Sequence, residues 1–195
     1  MQYKKQDISD RILEAGRNEY AAKGYRGGNI SAIATQAGVP VGNLYRYYDG
    51  KMGLLTAIVR PAYIQVPKMM NDLFENGSDD AHDNANRIIE KLLEVYDKYG
   101  DDLLILADKC ASTRYEDFFD KLVEKCDSLL LKRLFENPDE DDLFFCRTIS
   151  HTFISAVFDV LRRGGERERI KTMLERVVLF YFADISGRIH GGAND

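Results

Sequence analysis

Apolar residues recur every three to four positions along almost the whole chain, and only four prolines interrupt the pattern. That period places them on one face of a helix, whereas a half-buried strand needs alternation with period two. No stretch between turn residues sustains such alternation. The chain therefore reads as all-α, and sheet, sandwich and barrel folds drop out. With 195 residues it has the length of one large domain or two small ones.

Gly, Pro and capping residues set the expected boundaries. The first helix runs from about Ile8 to Lys23 and stops at Gly24, with Asp7 or Ser9 as cap. Short helices follow over Ile30–Ala37, stopped by Gly38, and Val41–Tyr48. A fourth begins near Lys51 and is expected to kink or end at Pro61, which lacks an N–H and clashes with the preceding turn. Further helical stretches cover Tyr63–Glu75, Ala85–Tyr99, Asp102–Cys110, Tyr115–Phe135, Asp142–Arg163 and Arg167–Ser186. The acidic run Asp139-Glu140-Asp141-Asp142 precedes one long helix and Arg162-Arg163 ends it, each charge at the favourable pole of the helix dipole. The tail from Gly187 is expected to fray.

Several classes are excluded. No apolar run approaches a membrane span, and Met1 to Lys5 lacks the hydrophobic stretch of a signal peptide. Cys110, Cys126 and Cys146 are odd in number, widely spaced and set in apolar helical patterns, which reads as buried reduced thiols in the cytoplasm, with no zinc spacing. There is no Gly-rich phosphate loop, no His-Glu metal pattern and no nucleophile–base pair; His82, His151 and His190 are far apart. The expectation is a non-enzyme without metal or cofactor.

Net charge is -5, which taken alone argues against nucleic acid. Its distribution argues otherwise. Residues 1–60 carry nine Lys/Arg against five Asp/Glu, a balance of +4, and the remainder carries 18 against 27, a balance of −9. A basic head on an acidic body points to a nucleic-acid-facing N-terminal module.

Within that module, Ile30, Ile33, Ala34 and Ala37 form one apolar stripe, and Asn29 can cap the helix that carries it. Gly38 can take a left-handed conformation, Val39 plugs the corner, and Pro40 is tolerated at a helix start. Helix, Gly-containing turn, helix is the helix-turn-helix plan. At 100° per residue, Val41, Leu44, Tyr45 and Tyr48 cluster toward the core, while Gly42, Asn43, Arg46 and Tyr47 cluster outward. Asn can pair with adenine edges and Arg with guanine edges in the major groove. Tyr and backbone N–H groups commonly hold phosphates, and Lys51 at the start of the next helix would add a phosphate clamp. Solvated surface is the competing reading of Arg46, Tyr47 and Lys51 taken singly.

With these residues in view, the chain resembles a TetR-family transcriptional regulator. The resemblance rests on Arg11-Ile12-Leu13-Glu14-Ala15, Lys23-Gly24-Tyr25, Ile33-Ala34, Ala37-Gly38-Val39, Gly42-Asn43-Leu44-Tyr45-Arg46-Tyr47-Tyr48, and Lys51 with Leu54, and covers roughly the first 60 residues. It implies a homeodomain-like three-helix DNA-binding domain, 1–50, and a helical effector-binding and dimerisation domain, 51–195. The DNA-binding set is then Asn29, Ser31, Val41, Gly42, Asn43, Arg46, Tyr47 and Lys51. The chain departs from the family pattern at Pro40 (often Ser or Thr), Val41 (often polar or basic), Asn29 (often Thr or Ser) and Glu19 (usually apolar). A charge at position 19 needs a partner or an exit to solvent.

The resemblance also implies a homodimer through the last two helices, a near-palindromic double-stranded DNA operator, and a small-molecule effector that favours a dimer whose reading heads are wrongly spaced. The segment Lys51–Arg60 would be the connecting rod. Independently, Arg167–Ser186 carries Ile170, Met173, Leu174, Val177, Val178, Tyr181 and Ile185 along one stripe, and Asp142–Arg163 carries Phe145, Ile149, Phe153, Ala156, Val157 and Val160. Helices apolar on so many sides exceed what one monomer core needs. Tyr96, Phe118, Leu122 and Phe153 are candidate effector-pocket walls, although core packing accounts for them as well. The stripe Thr148, Thr152, Ser155, Asp159 and Arg162, with His151 beside it, reads as a solvent face with an internal ion pair in preference to pocket chemistry. The expected function is a repressor released by its effector. An activator, an architectural or partner-binding DNA-binding protein without a pocket, and, more remotely, an all-helical enzyme are the alternatives.

Overall fold

The computed structural model describes residues 2–77 and 80–182, with side chains described at 6–77, 80 and 82–182. Among these, the elements are eight helices: α1 (Gln2–Gly27), α2 (Ile30–Gln36), α3 (Val41–Tyr47), α4 (Gly50–Glu75), α5 (Ala81–Asp108), α6 (Phe118–Leu134), α7 (Glu140–Arg163) and α8 (Arg167–Phe182). The all-α expectation holds. The expected positions Ile185, Ser186, Gly187 and His190 lie outside the described residues.

α1, expected over Ile8–Lys23, spans Gln2–Gly27, and α5 and α7 start earlier than expected, at Ala81 and Glu140. Three further differences have a physical reason. Pro61 neither ends nor kinks the assignment of α4, which continues to Glu75. Leu54, Leu55, Ile58 and Val59 before it and Ala62 after it are buried, and their burial outweighs one missing hydrogen bond at an exposed ring. Gly100 does not separate two helices, because α5 runs through it, with Asp102, Leu103, Ile105 and Leu106 buried beyond it. The helix expected from Tyr115 begins only at Phe118, since residues 111–117 form turns in which Thr113 Oγ1 donates to the Cys110 carbonyl and accepts from the Tyr115 N–H.

By compactness the chain divides into two units, Met1–Gln65 with Asp101–Phe119, and Val66–Gly100 with Asp120–Asp195. The core of the first gathers Ile12, Tyr20, Ile33, Leu44, Leu54, Leu55 and Ile58, all fully buried, with Ile105 and Leu106. α1 bends at Gly24, whose φ of 68° only glycine adopts freely. Immediately after the bend, the Tyr25 N–H donates to the Lys109 carbonyl at 2.8 Å. Arg26 donates to Ser112 Oγ, and Arg17 Nε donates to Asp102 Oδ1 at 2.8 Å. The segment 101–119 is thus part of the same packed unit as α1.

In the second unit α7 packs on α8. α7 starts with a reciprocal cap: Asp139 Oδ1 accepts from the Asp142 N–H, and Asp142 Oδ2 accepts from the Asp139 N–H. Ile170, Leu174 and Val178 of α8 are buried, and so are Phe153, Val157 and Val160 of α7. Phe145, Ile149, Ala156, Met173, Val177 and Tyr181 are only half-buried. Contrary to the sequence-based exclusion, α7 is long and apolar enough to cross a membrane by length and composition alone, with a mean hydropathy of 1.2 over its best stretch. Its buried side, running from Cys146 to Leu161, makes it a core helix of an all-α unit, which passes the same test. Cys110, Cys126 and Cys146 are buried free thiols, each pushed up to about 11 by burial.

Candidate nucleic-acid interface

α2 begins as expected. Asn29 Oδ1 accepts from the N–H groups of Ser31 at 2.8 Å and Ala32 at 3.2 Å, satisfying two of the donors that a helix start leaves free. Ser31 and Asn29 are exposed. Ile33, Ala34 and Ala37 are buried, so the stripe faces the core. Gly38 has φ 65°, the left-handed value the turn demands, and Val39 N–H closes back on the Ala34 carbonyl at 3.0 Å.

Glu19 finds the partner its burial requires. Its Oε1 accepts from Lys23 Nζ at 2.9 Å and from the Asn29 backbone N–H at 3.0 Å. The Lys23 ammonium, then the Asn29 N–H, hold its carboxyl below the usual range against the opposing effect of burial. A side chain of α1 therefore fixes the residue that caps α2. Lys23 is one turn away and visible in the sequence, whereas the Asn29 N–H, ten residues on, becomes a neighbour only through the fold.

α3 starts after Pro40, which makes no side-chain cap. Leu44 is fully buried, Arg46 and Gly42 are exposed, and Asn43 and Tyr47 are half-buried. The outward-facing set is as expected, but the inward set is not. Tyr45 is 56% exposed and Val41 37%. The wheel misplaces them because it runs through Tyr48, which is not helical: its φ of −134° and ψ of 137° are extended. Its phenol oxygen lies 2.8 Å from Ser9 Oγ of α1. Without Tyr48 the buried direction centres on Leu44, and Val41 and Tyr45 move to the edge of the outer face. Tyr45 is the residue that sequence reasoning missed. A wheel confined to the seven helical residues would have found it.

Around Gly42 an added Cβ would meet nothing within 4 Å. Another molecule can approach the backbone there. Arg46 Nη1 lies 3.5 Å from Asn43 Oδ1, so the amide and guanidinium sit side by side on the same surface. Lys51 is more committed than its sequence position implies. Its Nζ donates to the Arg26 carbonyl at 3.1 Å and lies 4.8 Å from the Tyr25 ring centroid, while its own carbonyl accepts from the Tyr20 hydroxyl at 2.9 Å. An ammonium has three donors, so a phosphate oxygen can still share it.

The candidate effector residues are placed differently. Phe118 belongs to the first compact unit, with its ring 5.7 Å from Tyr63. Tyr96, Leu122 and Phe153 belong to the second. Phe153 makes edge contacts with Tyr181 at 5.5 Å and Phe182 at 4.8 Å. On α7, the Thr148 and Thr152 hydroxyls donate to carbonyls of their own helix, and Arg162 pairs with Asp159 at 2.9 Å on an exposed face. That stripe is solvent surface, as its spacing suggests.

Residues 12–58 match the pattern of the bacterial regulatory proteins of the tetR family. The match covers 47 of the 195 residues and is confined to the N-terminal module. Solved structures extend the likeness in fold over most of the length. A TetR-family transcriptional regulator from Bordetella parapertussis 12822 is 19% identical, with a TM-score of 0.63 over 89% of this chain and 93% of that one. A TetR-like transcriptional regulator from Rhodococcus sp. RHA1 is 19% identical, with a TM-score of 0.61 over 91% and 96%. NalD of Pseudomonas aeruginosa, described as the secondary repressor of the MexAB-OprM multidrug efflux pump, is 21% identical, with a TM-score of 0.58 over 93% and 96%. No curated protein matches the chain. The matched segment includes α2, the Gly38 turn and α3.

Proposed function

We propose that the chain is a TetR-family repressor that leaves its operator when a small molecule binds its helical body, and that it works in the cytoplasm as a homodimer. The observation that carries the DNA-facing part is the outer surface of α3, where open backbone at Gly42 adjoins Arg46, Asn43 and the exposed Tyr45. Residues 1–50 supply the contacts: Arg46 and Asn43 reach base edges, Tyr47 and Tyr45 hold phosphate, and Ser31 and Asn29 lie on the flanking helix start. Val41 and Gly42 meet the groove, and Lys51 follows from the next helix. Repression, not activation, is supported by the likeness in fold to NalD.

Dimerisation through α7 and α8 is supported by apolar surface that one copy does not cover. Leu143 is 48%, Phe144 74% and Phe180 70% exposed, and a half-buried row accompanies them. Two-fold symmetry then spaces two α3 helices roughly 34–36 Å apart along DNA. Effector release requires that the ligand bind the non-operator arrangement more tightly than the operator-competent one. Tyr96, Leu122 and Phe153, all within the second unit, are the proposed apolar surroundings of that ligand.

Selection of bound fragments from the source genome tests the reading. The expected result is a near-palindromic site with half-sites about one helical turn apart, retained by a dimer in sedimentation. Sequence-independent retention would favour an architectural protein of the same fold and overturn the regulator reading. Recovered sites from which no small-molecule panel displaces the protein would count against effector release alone.

A further inference from the structure

We propose that Val41 reads the 5-methyl group of a thymine at one fixed position in each operator half-site. The proposal deepens the DNA-binding reading and rests on it. Val41 is the first residue of α3 and remains 37% exposed, beside Gly42, where nothing of the protein lies within 4 Å of an added Cβ. Tyr45, one turn on from Val41, is exposed on the same side of α3; Gly42 and Arg46 are also exposed, and Asn43 is half-buried. An apolar side chain therefore stands at the point where backbone can come closest to a base edge.

The chemistry of the groove narrows what Val41 can meet. Adenine, guanine and cytosine present donors and acceptors in the major groove, and thymine adds a methyl group. Valine cannot replace the water that those polar atoms lose, so burying them against it is unfavourable. The thymine methyl loses nothing and gains apolar contact. Because Val is β-branched, its χ1 is nearly fixed in a helix, and its two methyls present one defined surface in place of an adaptable one. Pro40 has no hydroxyl to hold a phosphate at this corner and makes no side-chain cap. Close approach of α3 is thus left to apolar contact there, while Arg46 supplies the charge.

Two parallel selections test this with the full-length protein, using one random duplex library amplified with either thymidine or deoxyuridine nucleotides. Uracil pairs as thymine does but lacks the methyl. A thymine enriched at a fixed half-site position in the first library and not matched by uracil in the second is expected, with affinity lower by about fourfold per half-site, the value of one buried methylene. Val41→Ser, checked for an unchanged folding transition by circular dichroism, replaces the apolar surface with a hydroxyl and should bind the two forms of the selected site equally. Identical enrichment in both libraries, or methyl sensitivity that survives in Val41→Ser, overturns the assignment while leaving DNA binding intact. Absence of any enriched sequence in either library overturns the DNA-binding reading and this one with it.

Discussion

Replacing Arg17 with alanine will destabilise the chain more than removing its partner Asp102, and the difference will depend on pH. The two meet at 2.8 Å between Nε and Oδ1, with a second contact of 3.4 Å from Nη2 to Oδ2. They are not equivalent. The Asp102 side chain is 6% exposed and that of Arg17 38%. In Arg17→Ala a carboxylate is left buried without its cation, a change that costs about 3–5 kcal/mol for a fully buried pair. Since Arg17 is partly in water, solvent screening reduces this to about 2–3 kcal/mol. In Asp102→Asn the guanidinium turns to solvent, at a cost of about 0.5–1.5 kcal/mol, that of one hydrogen bond. In a chain of this length each kcal/mol moves the melting temperature by about 2–4 °C.

The pH dependence carries the sign. Burial pushes the Asp102 carboxyl up, and Arg17 opposes it. Without Arg17 the folded-state value rises further. A raised carboxyl contributes stability that is fully present below the ordinary carboxylate pKa and is lost as pH rises through the folded value. Arg17→Ala should therefore melt progressively lower as pH increases from the acid side, relative to the Arg17→Ala/Asp102→Asn double variant, in which the slope disappears. Circular dichroism melts at a series of pH values measure this. Equal losses for the two single variants, or parallel pH profiles for Arg17→Ala and the double variant, refute the argument.

Gly42→Ala adds a methyl that meets nothing of the protein; it should stabilise α3 by about 0.5–1 kcal/mol while weakening DNA binding, and unchanged affinity in anisotropy titrations would remove Gly42 from the interface. Pro61→Ala should raise stability by about 1–2 kcal/mol, because it restores a donor inside α4 at an exposed position, and a lower denaturation midpoint would contradict that account of the uninterrupted helix. Glu19, held low chiefly by Lys23, contributes stability that is present above the ordinary carboxylate pKa and lost as pH falls through its depressed folded value. Glu19→Gln should flatten the acid limb of the stability profile, and an unaltered limb counts against the network.

What was legible in the sequence followed from local rules. Asn29 as a cap, Gly38 at positive φ and Leu44 in the core depend on residues within one or two turns of each other. The acidic run before α7 was read for its charge at the helix pole, whereas the reciprocal Asp139–Asp142 cap and the start at Glu140 came from the structure. Tyr45 was misplaced because a periodicity was carried one residue beyond the helix that generates it. Pro61 and Gly100 were read as breakers because local propensity was weighed without the burial on either side. The Tyr25 N–H to Lys109 carbonyl bond, and the pairing of Arg17 with Asp102, join positions more than 80 residues apart with no common pattern. Such contacts arise from packing and leave no periodic trace.

The positive balance of the first 60 residues also changes meaning once its cations are placed. Arg11 pairs with Asp7, Lys23 with Glu19 and Arg17 with Asp102. Arg26 is bound to Ser112 and Lys51 to the Arg26 carbonyl. These cations hold α1, α2 and α4 in register, and each paired one is locally neutral to a phosphate at close range. The charge still favours approach to DNA over distance. On the proposed reading, discrimination at contact falls to α3, where Arg46 stands among groups that are uncharged: Asn43, Tyr45, Tyr47, Gly42 and Val41. A reading head built this way gains less from counterion release than its composition promises and depends more on fit to the groove. On the proposed reading its specificity is set by shape and by the apolar and amide edges of one seven-residue helix, while the ion pairs of α1 serve the packing of the module behind it.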